Sequence, residues 1–279
     1  GLAWRMMPHD LPKWKTVYDY FRNWRIAGIW EQLNGSLRKQ VRLNCRGSRP
    51  EAVVYAAALA RHSAALVAHA DAVIVPSPAA LDRLTALRAP LGATPVHVVG
   101  HVVRALEGSP PPAPSLEGFA LVAARLAPEK AVDVAIDACA RAHVPLVIAG
   151  DGPERARLEA CASGHDVRFT GRVEPEELAQ LRTRAGVAVV TTRAHETFGL
   201  AALEAMAAGL PTVVTARGAL SDLAEGAALV QPDAPELLAS AIERARGNAE
   251  AGHRAHATAL RLAAPAAVAP QLAAVYASL

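Results

Sequence analysis

From residue 119 onward, short apolar runs alternate with longer stretches in which apolar residues recur every three or four positions. The runs at 119–124, 145–149, 167–170, 187–191, 212–215 and 227–230 predict strands. The stretches near 130–142, 153–162, 175–185, 199–208, 219–225 and 234–247 predict helices. Strands alternating with helices in this way imply an α/β fold built on a doubly wound parallel sheet. Ligands of such sheets bind at the carboxyl ends of the strands, so the informative residues are those that follow each run.

The beginning of the 279-residue chain is patterned differently. Pro12 opens a predicted helix on which Trp14, Val17, Phe21 and Trp24 lie three or four apart, and Gly28 ends it. A second stripe of Ile26, Trp30, Leu33, Leu37 and Val41 follows, with Arg38, Lys39 and Arg42 off it. An aromatic stripe at this spacing reads as a hydrophobic core and the basic residues as a solvated face; contact with nucleic-acid phosphates is the other use of such a face. Composition marks the same break. All four tryptophans fall in the first 30 residues. Residues 1–49 hold ten Lys or Arg against three acids, a net +7 that leaves −4 for the rest of a chain whose total is +3. Residues 108–115, with four prolines, read as a stiff linker.

Cys45, Cys139 and Cys161 lie far apart with no CxxC pair. That argues against a disulfide framework and a structural zinc site, and fits a reducing compartment. The longest uncharged stretch, 262–279, is expected to be too short and too weakly apolar to span a membrane. The first 30 residues lack the apolar core of a signal peptide. A cytoplasmic location is therefore expected.

Candidate chemistry follows the predicted strands. After the first come Arg125-Leu-Ala-Pro-Glu-Lys130. Two cations beside a strand end can neutralise a diphosphate, Arg125 through its planar fork and Lys130 as a point charge, although a solvated loop carries the same residues. Gly150-Asp-Gly-Pro153 lacks the third glycine of a dinucleotide-binding loop, and as a tight strand-to-helix turn it needs no ligand. The fourth strand runs into 192–211, where Glu196 and Glu204 flank Phe198-Gly-Leu200, the start of a helix that Gly209 and Pro211 close. A helix start offers unpaired N–H groups and a positive dipole end to a phosphate. Gly199 would let that phosphate approach the backbone closely. The two carboxylates can accept hydrogen bonds from sugar and ribose hydroxyls. A glutamate pair at this spacing means little alone; its combination with strand, glycine and helix is what makes the signal. His253 and His256 are expected to be solvated helix residues, since no further ligand cluster accompanies them.

Two resemblances sharpen this picture. Trp4-Arg-Met-Met-Pro-His-Asp-Leu-Pro-Lys-Trp-Lys-Thr-Val-Tyr-Asp-Tyr-Phe-Arg-Asn-Trp24, Gly28-Ile-Trp-Glu31 and Leu37-Arg-Lys-Gln-Val41 resemble the N-terminal region of bacterial insertion-sequence transposases, a likeness that stops after Arg46. The Asp-Ser-Gln-Ser-Val stretch in which that family's catalytic aspartates begin does not follow. The resemblance therefore implies weak DNA binding at most, without transposase activity.

Ala124-Arg-Leu-Ala-Pro-Glu-Lys130, Ile148-Ala-Gly-Asp-Gly-Pro153, Val167-Arg-Phe-Thr-Gly-Arg-Val173 and the stretch holding Glu196 and Glu204 stand in that order. They resemble the donor-binding half of retaining glycosyltransferases of the GT-B fold, in the large bacterial family 4 (glycosyl transferases group 1), over about 70 to 242. The resemblance implies a Rossmann-like domain that takes a nucleotide-diphosphate sugar as substrate, with no metal and no further cofactor. It also implies front-face transfer with retention, in which the departing diphosphate is stabilised electrostatically. Carried over by position, the catalytic set is Glu196 on the donor sugar with Arg125 and Lys130 on the diphosphate. Glu204 bonds the ribose, the backbone around Phe198, Gly199 and Leu200 assists, and Arg172 and Val173 border the base. Ala131 stands where the family usually has glycine. No two aspartates are separated by a single residue, so the metal-binding Asp-x-Asp of the other glycosyltransferase fold is absent.

The domain order expected is a transposase-like helical fragment at 1–49, a remnant of the acceptor-side Rossmann domain at 50–107, the linker at 108–115, the donor-binding domain at 116–262 and a C-terminal tail or helix at 263–279. An acceptor domain needs on the order of 100–150 residues, and only 51–107 precede the linker. Within them 64–77 resemble its last helix and strand, 78–87 its next helix and 96–99 a connecting strand. The transposase-like segment stands where the family holds its acceptor loop and catalytic histidine. The expectation is a fusion, joined between about 44 and 52: a glycosyltransferase by ancestry that binds a nucleotide-sugar donor and is impaired in transfer to an unknown acceptor. The alternative is an inactive fusion product or DNA-binding protein. Apolar helices near 55–68 without their sheet further predict self-association.

Overall fold

The computed structural model describes residues 67–103, 106, 114–115 and 118–279. The predicted N-terminal helices, the transposase-like stretches and most of the linker lie outside the described residues, as do residues 55–66 of the predicted remnant helices.

Six parallel strands form the main sheet: β3 (Ala120–Ala123), β4 (Leu146–Ala149), β5 (Val167–Gly171), β6 (Val187–Val190), β7 (Thr212–Thr215) and β8 (Ala227–Val230), in the order β5-β4-β3-β6-β7-β8. Before it, β1 (Val73–Val75), helix α1 (Pro78–Ala86) and β2 (Val96–Val98) make a small parallel pair. The crossovers of the main sheet are α2 (Val132–Arg141), α3 (Arg155–Cys161), α4 (Pro175–Arg184) and α5 (Leu200–Ala207). A 3-10 turn at Ala219–Leu223 takes the place of the helix expected near 219–225. Helices α6 (Pro235–Ala245), α7 (Ala249–Ala263) and α8 (Pro265–Ala277) follow β8.

The central strands β3, β4 and β6 are apolar throughout because both faces are covered. Ala120, Val122, Leu146, Ile148, Val187, Val189 and Val213 face α2, α3 and α6, where Ile136, Leu158, Leu238 and Ile242 are buried. Their alternates Leu121, Val147, Ala149 and Ala188 pack with Leu181 of α4 and Ala205 of α5. Each fully buried Leu or Ile contributes about 1.5–3 kcal/mol of transfer free energy. The alanine-rich composition has a packing role of its own. Ala255, Ala259 and Ala263 of α7 are fully buried in one cluster with Ala202, Leu203 and Met206 of α5. A Cβ on Gly252 would lie 2.3 Å from the carbonyl of Gly209, so the backbones here touch.

By length and composition Ala249–Ala277 could cross a membrane, a possibility that the uncharged stretch at 262–279 did not suggest. The structure divides this segment into two helices. Ala264 has extended backbone (φ −68°, ψ 146°) and Pro265 begins a new helix.

Residues after β1 are joined to the loops and helices around the main sheet through specific contacts. Ser77 caps α1 by accepting from the Ala80 N–H at 3.0 Å, and its hydroxyl donates to the Thr197 carbonyl at 2.8 Å. The Val103 N–H donates to the Ala263 carbonyl at 2.8 Å. Val99 is buried with Val268 and Val275 of α8. The compact unit accordingly runs Ala70–Leu279.

Candidate functional site

Strand order reverses between β3 and β6, and a cleft of about 310 Å³ opens at their carboxyl ends. Val122 to Arg125 and Lys130 form one wall; Val189 to Thr191, Glu196, Gly199 to Ala201 and Glu204 form the other. A second cleft of about 520 Å³ shares Ala123, Ala124, Arg125, Ala201 and Glu204 with the first. It adds Asp151, Arg172, Val173 and Leu178. The structure thus gathers Arg125, Lys130, Glu196, Gly199, Leu200 and Glu204 at one place, with Arg172 and Val173 beside it.

Each side chain is held by an identifiable device. Lys130 ends a 3-10 turn (Pro128–Lys130) whose backbone the end of β6 grips. The Thr191 hydroxyl donates to the Lys130 carbonyl at 2.8 Å, the Thr192 hydroxyl to the Glu129 carbonyl at 3.0 Å, and the Arg193 N–H to that same carbonyl at 2.8 Å. Ala131 then turns into the left-handed region (φ 49°, ψ 37°), which explains why glycine suits this position and what alanine costs there, about 1–2 kcal/mol. The Lys130 ammonium donates to Glu196 Oε2 at 2.9 Å. Glu196 is fixed in turn through its backbone, since its carbonyl accepts from the Ala219 N–H at 2.9 Å.

Glu204 lies in α5 with Oε2 2.5 Å from Arg182 Nη2 of α4. The sequence reading did not find Arg182, because no local spacing links residues 22 positions apart on two different helices. It also missed Arg193, whose fork takes both oxygens of Asp133 on α2 at 2.9 and 3.3 Å while Nε reaches Asp233 at 2.8 Å. Burial pushes the Asp133 carboxyl up, but the hydrogen bond and charge of Arg193, then the charge of Arg157, outweigh it and leave the group below its ordinary 3.8. Arg193 thereby ties the loop that carries Glu196 to the helix that follows Lys130.

Some expectations change. Phe198 is not brought to the cleft: its ring meets His101 edge-on at 5.0 Å and packs with the α5–α7 cluster. Gly199 lines the cleft, but its residue type is set by its backbone. It has φ +82°, a left-handed backbone that favours glycine, and a Cβ would lie 2.9 Å from Leu220 Cδ2, so glycine suits this position without any phosphate. Arg125 lies on the rim, 57% exposed and paired with Glu129. His256 is half-buried and not a solvated residue; its Nδ1 lies 2.9 Å from the Ala207 carbonyl. His253 is exposed as expected. The turn at 150–153 is a packing device. A Cβ at Gly150 would lie 1.9 Å from the Ala124 carbonyl oxygen and one at Gly152 2.2 Å from that of Leu126, so the two strand-end loops meet backbone to backbone.

A doubly wound domain with a switch-point cleft that carries cations on one wall and carboxylates on the other is the class that fold and site define. More particularly, residues 118–248 match the family described as glycosyl transferases group 1, and the parallel sheet with its flanking helices matches structural neighbours of the GT-B glycosyltransferase fold. Residues 1–34 match a transposase family of the IS4/5 type. A GDP-mannose-dependent alpha-(1-6)-phosphatidylinositol dimannoside mannosyltransferase of Mycobacterium tuberculosis is 43% identical over 126 residues, 42% of this chain and 32% of that protein. A GDP-mannose-dependent alpha-mannosyltransferase of Mycolicibacterium smegmatis is 34% identical over 163 residues, 57% of this chain and 43% of the relative. The chain therefore spans about a third to under a half of these relatives' length. Among solved structures, sucrose-phosphate synthase from Thermosynechococcus elongatus superposes with a TM-score of 0.66 at 27% identity, covering 78% of this chain and 61% of that one. Anabaena HepE, crystallised with UDP and glucose, has the same fold with a TM-score of 0.67 at 24% identity, covering 79% of this chain and 67% of its own.

Proposed function

We propose that the cleft between β3 and β6 binds a nucleotide-diphosphate sugar, and that the chain is the donor-side part of a retaining, metal-independent glycosyltransferase. The observation that carries this reading is the convergence of Lys130, Glu196 and Glu204 on one cleft at the switch point. In the free protein Glu196 neutralises Lys130 at 2.9 Å. A donor diphosphate would take over the ammonium and release the carboxylate to accept from a sugar hydroxyl. A lysine so engaged offsets the negative charge that builds on the departing diphosphate. Glu204 lines both clefts, and in this reading it accepts from a ribose, with the base toward Arg172 and Val173.

Relatives named for GDP-mannose make guanine the first base to examine. With a transposase-type segment where an acceptor loop would stand, transfer is expected to be weak even where donor binding is intact. Calorimetric titration of the purified chain with GDP, UDP and ADP tests the reading. One nucleotide should bind, and Glu204→Ala should weaken it. A folded chain that binds none of the three overturns it.

A second reading, DNA binding by residues 1–49, is favoured by their net +7 and by the transposase-type match. Binding that falls steeply with salt supports it, and absence of binding at physiological salt removes it.

A further inference from the structure

We propose that Arg182 is a positioning residue for the donor's ribose. It anchors one oxygen of the Glu204 carboxylate and leaves the other aimed at a ribose hydroxyl. The inference rests on the donor-binding reading above and adds to it a residue that lines neither cleft.

The geometry is specific. Arg182 Nη2 lies 2.5 Å from Glu204 Oε2. The arginine side chain is only 12% exposed, whereas Glu204 is 35% exposed and lines both clefts. The cation therefore sits behind the carboxylate. Each partner stands on a helix anchored to the same face of the sheet, Arg182 next to buried Leu181 on α4 and Glu204 between buried Leu203 and Ala205 on α5. Two helices packed on one face of the sheet and joined by a charge-assisted bond leave the carboxylate little rotational freedom. A carboxylate has about four acceptor sites, so one such donor leaves Oε1 open.

Charge gives a second reason. A diphosphate entering the cleft meets Glu196 and Glu204, and the two cations on its walls already face acids, Lys130 against Glu196 and Arg125 against Glu129. Arg182 offsets the charge of Glu204, the carboxylate that a ribose needs as an acceptor next to phosphates. A lysine in its place would supply the charge without the planar fork.

The test compares a nucleoside diphosphate with its 2′,3′-dideoxy form by calorimetry on the full chain, using GDP, UDP and ADP to find the base. Wild type should prefer the ribonucleotide by on the order of tenfold or more, the scale of a hydrogen bond to a charged group. Arg182→Met should bring the ribonucleotide down to the affinity of the dideoxy form and leave the latter nearly unchanged. Arg182→Lys should restore part of the preference. A preference that survives in Arg182→Met, or an equal loss for both nucleotides, overturns the inference, because a merely structural pair would not act through the ribose alone. If Arg182→Met does not fold, Arg182→Lys decides: a preference undiminished from wild type counts against the fork, and a reduced one supports it. Wild type that binds both forms equally refutes the inference while donor binding stands; wild type that binds no nucleotide removes the donor reading itself.

Discussion

Lys130 and Glu196, 66 positions apart in the chain, meet at 2.9 Å across the cleft where the main sheet reverses its strand order. Neither is placed by its own helix. The residues that follow β6 hold the lysine's turn, through the Thr191 hydroxyl on the Lys130 carbonyl and the Thr192 hydroxyl on the Glu129 carbonyl, and the turn after β7 holds the glutamate through Ala219. Both side chains are partly buried, so their charge pairing is stronger than at an open surface and sensitive to what enters the cleft.

The pairing predicts opposite effects for its two members on a free nucleoside diphosphate. Glu196→Gln removes the competitor for the ammonium and should tighten binding by about three- to tenfold, the ~1 kcal/mol scale of a partly exposed pair. Lys130→Met should weaken binding by about tenfold or more. Titration calorimetry reads both, and a loss in both variants would mean that Glu196 holds the Lys130 ammonium in position for the diphosphate instead of competing for it.

The Arg193 fork on Asp133 predicts a pH-dependent share of stability. The folded-state pKa of Asp133 lies below its ordinary 3.8. Its contribution is therefore present above the unfolded value and is lost as pH falls through the folded one. Asp133→Asn should cost about 1–2 kcal/mol at neutral pH. In urea titrations the gap from wild type should narrow as pH drops below 3.8. A gap that stays constant down to acid pH would show that the pair does not act through the charge of the carboxylate.

Gly218 is the backbone support of Glu196. It has φ +60°, and a Cβ there would lie 2.3 Å from the Glu196 carbonyl oxygen. Gly218→Ala should cost about 2–4 kcal/mol through strain and displaced backbone. Gly164 is the control. It too has positive φ, +82°, but nothing lies within 4 Å of its Cβ position, so Gly164→Ala should cost only about 1–2 kcal/mol. Similar denaturation midpoints for the two variants would contradict the close approach.

The two described cysteines should report burial directly. Burial pushes the Cys139 thiol up to about 12, while Cys161 is exposed with its sulfur 4.0 Å from Arg157 Nη1. Iodoacetamide followed by peptide mapping should label Cys161 in the native chain and reach Cys139 only after urea is added. Labelling of both at the same rate would place α2 off the sheet.

Much of this protein was determined by its sequence alone. The apolar runs beginning at 119 and 187 become β3 and β6, because an uninterrupted apolar strand between helices has no stable place except a sheet covered on both faces. The switch-point rule then selects the residues after those strands, which is why Lys130, Glu196 and Glu204 were legible together. Tertiary structure alone decided what stands behind them. Arg182 meets Glu204 between two helices, Arg193 bridges α2 and the loop after β8, Phe198 turns toward His101, and Gly199 takes a left-handed backbone against Leu220. Hydropathy patterns encode which face of an element is buried. They do not encode the offset between neighbouring elements, and it is that offset, set by side-chain packing across the layers, that determines which charge meets which.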